Sequence, residues 1–250
     1  MTTLSMEQIL LFVIAGFIAQ IIDGTLGMAY GISATSLMLA FGVPPASASA
    51  SVHAAEVITT GISGLAHHGH GNIDWRLARR LLIPGVIGAA IGAYVLTAIP
   101  ADTIRPIVSA YLLVMGVVIL RKALQKHPPA QSHTHLVPLG LFGGFLDATG
   151  GGGWGTIVTT TLIARGHVPR FAIGSVNAVE FFVSLAASIT FVLTIGLLHW
   201  QAIVGLALGG ALAAPLAAYL TKRMPARPMM FTAGVLIILL SARTIILAAA

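Results

Sequence analysis

The 250-residue chain contains no cysteine, which excludes disulfides, thiolate nucleophiles and cysteine-based metal sites. It is nearly as poor in charge, with 8% Asp, Glu, Lys and Arg against the roughly one quarter that keeps a soluble domain wet. Seven acidic residues stand beside a hydrophobic fraction of 57%, so the solvent for most of this surface is lipid. The thirteen Lys and Arg residues set a net charge of +6, but they fall in short clusters between apolar segments. No continuous basic stripe of the kind that tracks a nucleic acid is formed. Also missing are a serine nucleophile elbow, an HExxH pair and any cofactor motif. An intramembrane enzyme using His53 with Glu56 or Asp23 therefore stands only as an alternative, and no cofactor is expected. No cationic segment with a short apolar run and a small-residue cleavage site precedes the first helix, so the chain from about Leu10 onward is expected to be retained.

What the chain does contain is a copy of itself. A shift of 124 positions aligns 23–56 with 147–180, with 13 of those 34 positions identical. Among them are Asp23/Asp147, Thr25/Thr149, Gly27/Gly151, Pro45/Pro169 and Glu56/Glu180. At a shift of 125 the match resumes with Trp75/Trp200, Gly85/Gly210, Tyr94/Tyr219 and Pro100/Pro225. The division predicted is a first repeat over 1–124, a linker over 125–136 and a second repeat over 137–250, forming one transmembrane domain. Each repeat reads as a long glycine-interrupted apolar segment followed by three helices near the length a bilayer core needs. The segments are 8–42, 46–68, 78–98 and 104–122, then 137–166, 171–195, 201–221 and 229–248.

Lys and Arg mark short cytoplasmic loops. Arg76, Arg79 and Arg80 crowd one loop of the first repeat, whereas its counterpart around His199 and Trp200 has no cation. The two copies are thus expected to face opposite ways, with the linker cytoplasmic and both termini outside. That parity requires the first segment of each copy to enter and return on one side, as two short half-helices joined at a bend.

The bends carry the chemistry. Asp23 to Gly31 reads DGTLGMAYG and Asp147 to Gly155 reads DATGGGGWG. In hydrocarbon a broken helix is tolerated only where protein or a watery cavity satisfies its backbone, and a half-helix starting there aims free amides and the positive end of its dipole inward. That arrangement favours an anion. Glycine here has a second reading, close helix packing; the duplication of the whole run favours a site. Gly27, Gly150, Gly151, Gly152 and Gly153 are the candidate backbone donors, with Thr25, Thr149, His53 and Asn177 as side-chain donors. Asp23 and Asp147 are expected to cap the half-helices. Glu56 and Glu180 lie about ten residues into the next helix, where an ionised carboxylate is costly; each either couples protons or locks the bend. Thr35, Thr159, Thr160 and Thr161 follow the breaks, and most such hydroxyls bond their own helix. His67, His68, His70, His127, His133 and His135 lie in loops without nearby carboxylates, so solvated histidines are expected there, with a divalent metal transporter as the alternative. No metal is expected.

GGFLDATGGGGWG at 143–155, with Pro169 and the small residues from Ala172 to Asn177, resembles the TauE/SafE family of sulfite and organosulfonate exporters, as does the matching GFIAQIIDGTLGMAYG with Pro44, Pro45 and SASASVHAAE. The resemblance covers roughly residues 8–248. The repeat and charge pattern lead to the expectation of an all-α polytopic protein of the bacterial inner membrane, built as two inverted repeats, and the resemblance implies export or uptake of a sulfur-containing or carboxylate anion such as sulfite or sulfoacetate. The first copy replaces the family's glycine run with Leu26, Gly27, Met28 and Ala29, so two unequal half-sites are expected. The partners expected are the small anion, the lipid bilayer and coupled protons.

Overall fold

A computed structural model describes residues 6–124, 135–196, 199–221 and 226–249. The described residues form ten helices joined by turns, with no strand among them: α1 (Met6–Leu26), α2 (Tyr30–Ala40), α3 (Pro45–Gly69), α4 (Trp75–Ala98), α5 (Ala101–Leu124), α6 (Leu136–Gly150), α7 (Trp154–Ala164), α8 (Pro169–Thr194), α9 (Trp200–Leu220) and α10 (Ala226–Ala249). Local chemistry sets the starts. Pro45 and Pro169 occupy the first helical position of α3 and α8, where a fixed φ helps and a missing amide costs nothing. The Asp74 carboxylate caps α4 by accepting from the Arg76 and Leu77 amides.

Five of these helices, α1, α4, α5, α8 and α9, are long and apolar enough to cross a membrane. The polar residues of α3 lower its hydropathy, yet its 25 residues reach about 37 Å at the α-helical rise. Large side chains such as Leu193 and Leu212 are exposed, which suits a lipid-facing surface. The chain is a multi-pass helical membrane protein. One sequence expectation needs correcting: α1 is not a short half-helix but a 21-residue one. Gly24 does not break it, because that glycine packs inside the helix against the Ala217 side chain. The linker histidines His127 and His133 fall outside the described residues.

Packing is reciprocal between the halves. Helix α1 lies on α9 as α6 lies on α4; α3 lies on α8, and α5 on α10. Neither half closes a core alone, because the first arm of each rests on the penultimate helix of the other. Glycine permits these crossings. A Cβ on Gly16 would overlap the Leu206 backbone, one on Gly209 the Val13 carbonyl, and ones on Gly88 and Gly92 the Leu141 and Phe145 carbonyls. The four short or interrupted pieces, α1–α2 and α6–α7, are thereby brought together at the centre.

Candidate functional site

Both hairpins break where a turn into the next helix demands a left-handed backbone. Gly27 sits at φ 68° and Ala29 at φ 89°; in the second copy Gly151, Gly152 and Gly153 sit at 70°, 136° and 144°. Only glycine adopts the last two without strain. Asp147 builds the second break three times over. Its carbonyl accepts from the Gly151 and Gly152 amides, and its Oδ1 accepts from the Trp154 amide at 2.8 Å, capping α7. Asp23 does the same in the first copy, its carbonyl accepting from Gly27 at 2.5 Å and its carboxylate from the Tyr30 amide at the start of α2.

The two breaks meet face to face. A Cβ on Gly152 would strike the backbone of Gly31 and Ile32; one on Gly155 would strike the Gly27 carbonyl, and one on Gly151 the Thr35 side chain. Thr35 donates its hydroxyl to the Gly151 carbonyl. Two aromatic side chains wedge the helix starts: the Trp154 indole donates to the Val176 carbonyl at 3.2 Å and the Tyr30 hydroxyl to the Leu206 carbonyl at 3.0 Å. From α5, Tyr111 packs against Gly150 and Gly153 and donates its hydroxyl to the Gly152 carbonyl at 3.0 Å. Tyr111→Phe removes one donor from a part-buried carbonyl, so we expect a loss of about 1 kcal/mol, read as a fall of about 2–4 °C in the unfolding midpoint. An unchanged midpoint would mean that Tyr111 does not brace the break.

Behind the breaks lies an acid-rich centre. Four of the seven acidic residues, Asp23, Glu56, Asp147 and Glu180, are at most 4% exposed, and each lies within electrostatic reach of the others. None of the four pairs with Lys or Arg among the described residues. The one cation-capable partner is His53, whose Nε2 lies 3.1 Å from Asp147 Oδ2 and 3.9 Å from Glu56 Oε2. His53 Nδ1 lies 2.8 Å from the Ser49 carbonyl, an acceptor only, so Nδ1 carries a proton. A further proton must then sit between Nε2 and Asp147 Oδ2, on one atom or the other, because two bare acceptors would repel. Ser184 steadies Glu56 by donating to Oε2 at 3.2 Å. Asp23 Oδ2 and Glu180 Oε2 have no hydrogen-bond partner among the described residues. His53, Glu56 and Asp147 offer three ligand atoms within 4.8 Å of one another, a donor set that also fits a small cation.

The remaining candidates take no part in the His53 contacts with Asp147 and Glu56. Thr25 and Thr149 turn their hydroxyls back to the carbonyls of Ile21 (2.5 Å) and Phe145 (2.7 Å) within their own helices. Asn177, the counterpart of His53, accepts from Ser63 at 2.8 Å and joins α8 to α3. Of the threonines after the second break, Thr160 and Thr161 bond their own helix, while the Thr159 hydroxyl has no partner among the described residues and faces Gly27. The α3-end histidines do not converge. His67 bonds the Gly24 carbonyl and Asn72, His68 meets Trp75 edge to face, and His70 lies by Tyr219; His135 is exposed. Sequence reading missed Tyr111, Ser49 and Ser184. Nothing local marks Tyr111, and the two serines are two among many small residues on α3 and α8.

Residues 12–244 match the model of the family described as Sulfite exporter TauE/SafE. The chain is similar to the "Probable membrane transporter protein YtnM" of Bacillus subtilis (strain 168), at 43% identity over 251 residues covering 96% of this chain and 84% of that protein. No solved structure matches.

Proposed function

The chain belongs to the TauE/SafE family, and from that premise we propose that it is a secondary transporter of a small anion, sulfite or an organosulfonate, across the bacterial inner membrane, with export the expected direction. One observation carries the reading: two capped helix breaks meet beside a buried His53–Asp147 pair. The first-turn amides of α2 and α7 beyond the capped ones have no carbonyl one turn back and suit an oxyanion. In the closed arrangement the glycines are in contact, so an anion enters only when the halves separate. Rocking one repeat against the other, in opposite orientations with the linker cytoplasmic and both termini outside, supplies that motion.

Four buried carboxylates would repel an anion if all were ionised, so protons must accompany it. Asp147 from α6 and Glu56 from α3 face His53, and Asp23 from α1 and Glu180 from α8, within electrostatic reach of those two carboxylates, share this burden. The convergence of His53, Glu56 and Asp147 favours one second reading, in which a small cation replaces the proton. Proteoliposomes containing the chain should release radiolabelled sulfite faster than empty vesicles, and Glu180→Gln should slow that release. A chelator that stops it points to the cation reading. Release equal to that of empty vesicles ends the transporter proposal.

A further inference from the structure

Helices α4 and α6 touch at a glycine crossing, where a Cβ on Gly144 would meet the Gly85 carbonyl and one on Gly140 the Pro84 ring. Along that crossing an open cavity of about 710 Å³ is lined by the first turn of α6 and by α4 from Arg79 to Ile87. Its lining carries two cations, Arg79 and Arg80 from α4, with His135 at the start of α6, and apolar walls that include Ile83, Ile87 and Val137. These three apolar side chains are exposed. Neither guanidinium has a hydrogen-bond or ion-pair partner among the described residues, and His135 provides no side-chain cap for α6, whose first amides remain open. The equivalent crossing of α1 on α9 places Val204 and Gly205 where α4 has Arg79 and Arg80. Helix packing therefore does not require the two arginines.

We propose that this groove binds one anionic glycerophospholipid, its phosphate held by Arg79 and Arg80 at the open N-terminus of α6 and the upper part of an acyl chain laid along Ile83, Ile87 and Val137. The chemistry fits at both ends. Two guanidiniums bind phosphate in bidentate fashion, and a groove with an apolar floor at membrane depth takes an alkyl chain that water cannot replace. A zwitterionic lipid offers the same chains with a neutral head, so the arginines discriminate between the two. The lipid would tie α6, which carries Asp147, to α4, on which Trp154 rests through Gly85.

Native mass spectrometry of the detergent-purified full chain tests this with phosphatidylglycerol and phosphatidylcholine of identical acyl chains. One phosphatidylglycerol should bind at roughly thirtyfold lower concentration than phosphatidylcholine, since each cation near an anionic head group contributes several-fold. Arg79→Gln with Arg80→Gln should bring the two lipids within about threefold of each other. Ile83→Trp, which fills the groove without changing charge, should remove the single tight adduct, whereas Arg121→Gln at the end of α5 should leave it. Equal binding of the two lipids, survival of the preference in both groove variants, or an equal loss with Arg121→Gln overturns the proposal.

Discussion

Asp147→Asn is expected to leave the protein folded and to lower anion flux in proteoliposomes by about a hundredfold or more, the scale on which removing one positioned proton-transfer group is felt. Asparagine keeps an oxygen for the Trp154 amide and offers an N–H to His53 Nε2, so the cap and the contact persist. What it removes is the exchangeable proton that Asp147 and His53 hold between atoms 3.1 Å apart. Asp147→Ala separates the two roles, because it also removes the α7 cap, at about 0.5–2 kcal/mol, and strands His53 in the interior. Purified Asp147→Asn with a wild-type melting profile and wild-type flux would show that the pair is structural and that protons travel elsewhere.

Gly152→Ala carries the largest expected effect on stability. The position sits at φ 136°, which costs an L-residue about 1–3 kcal/mol, and the new methyl would run into the Gly31–Ile32 backbone, which cannot yield as a side-chain tip would. We expect the unfolding midpoint to fall by about 10 °C or the protein to stop accumulating in membranes. Gly69→Ala is the matched control, since a Cβ there meets nothing within 4 Å and the backbone is ordinary helix; it should change neither midpoint nor yield. A tolerated Gly152→Ala would mean that the two breaks do not meet closely.

The parts of this structure legible in the sequence are those that the backbone itself imposes. Paired glycines after an aspartate mark a break because few other residues adopt those angles, and helix limits such as Pro45–Gly69 follow from proline and apolar length. The length of α1 was not legible, because a glycine packed inside a helix and one that ends it look alike until the neighbour is known; Gly24 meets Ala217, nearly two hundred positions away. The central pair was half legible. The sequence marks His53 and Asp147 separately, but spacing relates His53 only to residues of its own helix, and its closer partner lies in the other repeat. Thr25 and Thr149 show the opposite failure. Their repetition suggested ligand contact, whereas a hydroxyl on an apolar helix finds its own i−4 carbonyl first.

The account depends on anion movement being tied to the proton that His53 and Asp147 share. The direct measurement loads proteoliposomes with a pH-sensitive dye and imposes a gradient of a membrane-impermeant organosulfonate. Lumenal pH should change in step with the sulfonate for the wild-type chain and stay flat for Asp147→Asn and His53→Gln. Sulfonate flux without a pH change, or the same pH change in all three proteins, would contradict it.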